Sequence, residues 1–103
     1  MVRLEVFWTP TAIKQRNQVF EYWNERNKST SYSLKLNTKI KSRINLLKTN
    51  SELGKKTEYK NTRAVSMGHY SILYKKMHSK IIITGFWDNR QNPKKLIEFL
   101  KQN

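Results

Sequence analysis

Three observations predict an α+β fold of order β-α-α-β-β-β-α for this chain. Two stretches of helical period lie in the first half, three β-branched and aromatic stretches follow residue 58, and a glycine-bearing break separates them. At 103 residues the chain holds one domain with a single modest core, so residues 1–103 are read as one unit. The helix pair is expected to pack on one face of a small antiparallel sheet.

RLEVFW opens the chain as a strand. Leu4, Val6 and Trp8 fall on one side, and Arg3, Glu5 and Phe7 on the other. Thr9 and Pro10 then supply an N-cap and a first-turn proline. In the helix that follows, Ala12, Ile13, Arg16, Val19, Phe20 and Trp23 share a face, and the end is expected near Asn27. A second helix from about Ser31 to Thr49 carries Tyr32, Leu36, Ile40, Ile44 and Leu47 on one stripe, with Lys35, Lys39, Lys41 and Lys48 on other faces. NSELGKKTE ends it, with Gly54 as the expected turn residue.

YKNTRAVSM, YSILYKK and KIIITGFW read as three strands of a meander, separated by Gly68 and by MHS. The third is the most apolar and is expected at an internal position. Pairing of the first strand with the edge or the centre of the meander stays open. Asn92 and Pro93 announce a final short helix with Leu96, Ile97 and Leu100 as its apolar side.

The formal charge is +14, from 21 Lys plus Arg against 7 Asp plus Glu, which points to a polyanionic or acidic partner. Residues 28–63 alone hold ten basic and two acidic side chains, +8 of the total. The absence of cysteine removes disulfides, thiolate metal sites and cysteine nucleophiles. No signal-peptide pattern and no apolar run of membrane-spanning length occur, so a soluble cytoplasmic protein without membrane contact is expected. No cofactor or metal is expected either: His69 and His78 each sit in a turn without a companion ligand.

WTPTAIKQRNQVFEYW, the aromatic strand HYSILYKK and the ending IIITGFWDNRQNPKKL together resemble the RelE/ParE superfamily of type II toxin–antitoxin toxins, over residues 3 to 98. WDNRQNPKKL is similar to the junction of one ParE-like branch. The resemblance implies a small sheet with a helical hairpin on it. It also implies a growth-inhibiting toxin neutralised by a cognate acidic antitoxin.

The superfamily divides by target, and the resemblance implies either DNA gyrase or the ribosome with its mRNA. A ribonuclease needs a proton acceptor, cations at the phosphorane and a proton donor. Arg63, His69 and Arg90 are the candidates for such a set, and Lys55, Lys56, His78 and Tyr70 belong to the wider inventory. In YSILY, however, Ser71 stands where RelE-like members are expected to carry arginine. Neither Lys95 nor Leu96 supplies their terminal tyrosine. The ParE-like reading, acting on gyrase and not as an enzyme, is therefore favoured over an mRNA interferase. A basic nucleic-acid-binding module is the third alternative, although no zinc-finger, RRM or KH signature is present.

Lys55, Lys56, Lys60, Arg63, Tyr70 and Arg90 are the candidate residues for binding target or antitoxin. Each has a plainer alternative. The lysines fit a solvated face, Tyr70 and Tyr74 fit core packing, and Asp88 could tie Arg90 down to shape its turn. Phe7 and Phe86 are expected to form a second patch on the opposite sheet face.

Overall fold

Helix α1, Pro10–Asn27, starts where cap chemistry dictates. The Thr9 hydroxyl accepts from the Ala12 N–H at 3.1 Å, and Pro10 occupies the first turn, where no N–H partner is needed. Lys28 closes the helix in the left-handed region (φ 51°) and its N–H reaches the Asn24 carbonyl. After two further residues α2 runs Ser31–Thr49. The computed structural model describes residues 4–92, 94, 95 and 98. Of the expected last helix only Lys94, Lys95 and Glu98 are described, and they are helical; Pro93, Leu96, Ile97 and Leu100 lie outside the described residues.

The strands are β1 (Glu5–Trp8), β2 (Lys55–Lys56), β3 (Arg63–Met67), β4 (Tyr70–Met77) and β5 (Lys80–Asp88). They form one sheet of order β1-β5-β4-β3-β2. The meander β3-β4-β5 is antiparallel, as expected, and β5 is internal. β1 joins the β5 edge of the meander in parallel, Phe7 opposite Ile82, so the sheet is mixed and not wholly antiparallel. The cause is connectivity: the helical hairpin carries the chain back across the sheet, so its first and last strands run the same way. β2, two lysines without any apolar signature, was not legible in the sequence.

One sheet face carries the core. Val65 and Met67 of β3, Tyr70, Ile72 and Tyr74 of β4, and Ile81 and Ile83 of β5 pack with Ala12, Leu36, Ile40 and Leu47 of the helices. Fully burying each such aliphatic side chain contributes about 1.5–3 kcal/mol. The α2 stripe is as expected, with Tyr32 and Ile44 at its partly buried margins. On α1 the expected stripe is narrower, because Ile13 remains 38% exposed.

A bulge corrects the assignment of Phe86. Tyr74 opposes Ile83 and Leu73 opposes Gly85, so Thr84 is an extra residue in β5. Past it the alternation inverts. Phe86 turns into the helix-side core and stacks on Tyr70, with centroids 5.2 Å apart and planes at 13°. Trp87 joins Leu73 on the other face. Phe7 is left exposed there, beneath the Lys80 ammonium, and does not share a patch with Phe86. From α1, Gln15 Oε1 accepts the Phe86 N–H at 3.1 Å, satisfying a backbone donor beside the bulge.

Gly54 lies in the bend that follows α2. Its φ is not in the left-handed region, and what it provides is a close approach. A Cβ there would lie 2.7 Å from the Tyr74 hydroxyl and 2.9 Å from the Ala64 carbonyl.

Candidate functional site

The candidate residues occupy two ends of the sheet. At one end, Arg63 opens β3 opposite Tyr74. The Tyr74 hydroxyl accepts from the Gly54 N–H (2.8 Å) and donates to the Ser51 carbonyl (2.9 Å). Arg63 Nη1 donates to the Gly54 carbonyl at 2.8 Å and to that of Glu52 at 3.4 Å. Two side chains of the sheet thus pin the segment that follows α2, and that segment leads into β2. Burial pushes the Tyr74 hydroxyl up from its ordinary pKa, opposed by the Gly54 hydrogen bond and the Arg63 charge.

A cleft of about 410 Å³ opens beside this clamp, lined among others by Glu52, Lys56, Glu58, Lys60, Arg63 and Lys76. Four cations and two carboxylates make it net basic. Its far wall is the turn after β2. There the Thr57 N–H donates to the Thr62 carbonyl, and Asn61 takes a left-handed conformation at φ 58°. Lys55 is exposed beside it on β2, its backbone opposite Ala64.

At the other end Tyr70 opposes Asp88. Tyr70 is buried, and its hydroxyl accepts from the Trp23 indole N–H at 2.8 Å. Burial raises its pKa, with the Trp23 hydrogen bond opposing. Asp88 holds Arg90 through three bonds: Oδ1 accepts from the Arg90 backbone N–H (2.9 Å) and from Nε (3.0 Å), and Oδ2 accepts from Nη2 (2.8 Å). The side-chain bond to Arg90 lowers the Asp88 pKa below the ordinary carboxylate value, and Asp88 in turn holds Arg90 charged. The guanidinium lies 5.9 Å from the Tyr70 ring centroid.

His69 is exposed in the β3–β4 turn at this same end, and its carbonyl accepts from the Asn89 N–H at 2.7 Å. Arg63 is remote from both. Its partner Tyr74 lies four residues along β4 from Tyr70, or about 13 Å of strand. The structure therefore brings His69 and Arg90 to one end and places Arg63 with Lys55, Lys56 and Lys60 at the other. His78, in the β4–β5 turn at φ 57°, is exposed.

Asn89 was missed by sequence reasoning. Its Oδ1 accepts from the Ser71 hydroxyl (2.8 Å), and its Nδ2 donates to the Gly68 carbonyl (3.1 Å) and to Ser66 Oγ (3.4 Å). It ties the end of β5 to the β3–β4 turn. The neutral Ser71, at the position singled out above, is this amide's partner. The only signal was its place beside Asp88 in DNR, and nothing there specifies a partner 18 residues away.

A family model described as ParE toxin of the type II toxin–antitoxin system, parDE, matches residues 6–93. The chain belongs to this ParE toxin family. It is a toxin of a type II toxin–antitoxin system within the RelE/ParE superfamily. Solved structures agree on the fold. The chromosomal ParDE system from P. aeruginosa superposes with TM-score 0.72 at 16% identity, covering 84% of this chain and 96% of that one. The RelBE2 toxin–antitoxin complex from Mycobacterium tuberculosis gives 0.61 at 16% identity, covering 84% and 99%. No curated protein sequence matches the chain. Among the described residues no helix is long and apolar enough to cross a membrane, and no group of three or more acidic or imidazole side chains is placed to hold a metal.

Proposed function

We propose that this ParE-family toxin arrests bacterial growth by inhibiting DNA gyrase in the cytoplasm, and that a cognate acidic antitoxin neutralises it. The observation that carries the choice of target is the dispersal of the candidate ribonuclease set. Cleavage by 2′-OH attack needs its acid, base and cation around one phosphate. Arg63 is bound to two carbonyls at one end of the sheet, Arg90 is held by Asp88 at the other, and Ser71 offers no charge. Family membership supports the toxin–antitoxin part of this reading, as do structural neighbours that are toxin–antitoxin systems.

The mRNA-interferase reading keeps one observation of its own. The basic cleft sets the carboxylates of Glu52 and Glu58 among Lys56, Lys60 and Arg63. Two assays on the purified toxin separate the readings. The expected result is inhibition of gyrase supercoiling, relieved by the product of the adjacent reading frame. Codon-specific mRNA cleavage on translating ribosomes, abolished by Arg63→Ala in a variant shown to be folded, with supercoiling unaffected, overturns the proposal.

A further inference from the structure

β5 outruns its neighbour on one side. β1 pairs with it from Lys80 to Ile83 only, and from Thr84 to Asp88 that edge faces α1 in place of a strand. Two hydrogen bonds fix which backbone groups point there. The Phe86 N–H donates to Gln15 Oε1 on α1 (3.1 Å), whereas the Asn89 N–H donates to the His69 carbonyl on the β4 side (2.7 Å). Alternation along an antiparallel strand then turns the Phe86 C=O and the Asp88 N–H toward α1. Neither group has a hydrogen-bond partner among the described residues. An acceptor and a donor thus stand two residues apart on one edge, where water or a ligand must take them.

Beside them lies a groove of about 440 Å³ whose lining includes Gln15, Gln18, Tyr22, Phe86, Asp88 and Gln91. The three α1 residues follow spacings of three and four, which set them on one helical face. Tyr22 is 53% exposed, so much of its ring stays available for stacking. Gln18 and Gln91 bring exposed amides, and the Gln91 N–H donates to the Asp88 carbonyl at 3.1 Å. Two guanidinium groups stand near the rim. Arg26 Nη1 donates to the Tyr22 hydroxyl at 3.2 Å, and Arg90, bound to Asp88, lies 5.9 Å from the Tyr70 ring centroid.

The geometry points to this groove as a binding site for an adenine mononucleotide. The Watson–Crick edge of adenine sets an amino donor beside a ring-nitrogen acceptor, the complement of the Phe86 C=O and the Asp88 N–H. Those two groups are separated by little more than one residue's rise, about 3.4 Å, which the diverging hydrogen bonds of the amino group and ring nitrogen span. Tyr22 stacks on the base, and the phosphate turns to Arg90 and Arg26, whose planar forks match its oxygens. The volume falls within the range of small-ligand sites, about 300–1,000 Å³, and holds one nucleotide. The inference is independent of which macromolecule the toxin inhibits.

The test is calorimetric titration of the purified full toxin with AMP, followed by NMR on the isotope-labelled protein. High salt suppresses contacts made by net charge alone. The expected result is binding of AMP, with the Asp88 amide resonance among those that shift most. Inosine monophosphate, which presents a carbonyl and an N–H in place of the amino group and ring nitrogen, is expected to bind about tenfold more weakly. Ribose phosphate, without a base, should bind more weakly still. Tyr22→Ala is expected to raise the Kd about tenfold and Arg90→Gln about fivefold, each in a variant whose spectrum shows the native fold. Ribose phosphate binding as tightly as AMP assigns the contact to charge alone and overturns the inference. So does AMP binding that leaves the Asp88 amide unmoved, or no AMP binding by the folded toxin. Binding of oligodeoxyadenylate without binding of AMP also overturns it, in favour of a nucleic-acid strand.

Discussion

Replacing Gly54 by alanine tests whether the segment after α2 is held as tightly as its geometry requires. The new Cβ would stand 2.7 Å from the Tyr74 hydroxyl, 2.8 Å from its Cε1 and 2.9 Å from the Ala64 carbonyl. None of these can move freely. Tyr74 is fully buried, with its hydroxyl bonded on both sides, and Ala64 is strand backbone opposite Leu73. Overpacking of this kind costs about 1–3 kcal/mol. Moving the segment outward relieves it but breaks the Gly54–Tyr74 and Arg63–Gly54 hydrogen bonds, each worth about 0.5–1.5 kcal/mol. The expected destabilisation is therefore about 1–3 kcal/mol by either route, a substantial part of a small domain's stability of about 5–15 kcal/mol.

Urea unfolding of the purified toxin, followed by tryptophan fluorescence, measures it. Tyr74→Phe supplies the companion: it strands the buried Gly54 N–H and is expected to cost about 1–3 kcal/mol. The double variant should lose less than the sum of the two, because both break the same hydrogen bond. It should not recover fully, since the approaches to Cε1 and to the Ala64 carbonyl remain. A Gly54→Ala protein within about 0.5 kcal/mol of the parent, or strict additivity in the double variant, refutes the clamp.

The other expectations concern the two ends of the sheet and the helix start. Asp88→Asn lowers thermal stability at neutral pH. Because the folded carboxylate is held below its ordinary pKa, the parent's advantage is full above about pH 4 and fades as pH falls further, so the two melting curves converge on acidification. Trp23→Phe removes the indole donor from the buried Tyr70 hydroxyl and is expected to cost about 1 kcal/mol in urea unfolding. Thr9→Ala removes the α1 cap and is expected to cost about 1 kcal/mol in urea unfolding.

What was legible in the sequence follows from the range of the interactions involved. Thr9, Pro10 and the periodic apolar residues act within a turn or two, so both helices were placed to within a residue or two of where they lie. The bulge at Thr84 acts locally as well, yet IIITGFW reads as an unbroken apolar run. Gly85 was its one visible trace, since glycine inside a strand often marks a bulge, and missing it put Phe86 on the wrong face. β2 exists because Tyr74 and Arg63 hold the preceding segment against the sheet, a contact across 20 residues for Gly54–Tyr74. The candidate site divides in the same way. Arg63 and Arg90 were recognisable as individual cations, and the Asp88–Arg90 pair could be anticipated from spacing. Their separation depends on strand register, and register is a property of the whole sheet.

The fold also gives the charge a distribution that composition alone could not. The strongly basic stretch, residues 28–63, folds into α2, β2 and the turn after β2, so it places its charge on the outer side of α2 and on one sheet edge. At β2 the lysines stand on the strand itself, where any added strand would have to desolvate them. Beside β1 the nearest α2 lysine, Lys48, stands across a groove from a strand whose own residues are Glu5, Val6, Phe7 and Trp8. Charge in the first position opposes pairing, whereas charge in the second leaves the strand's own outward groups free. A uniform +14 coat would favour polyanions everywhere. This arrangement gathers the cations at the β2 edge around the basic cleft and leaves the β1 edge sparser in positive charge.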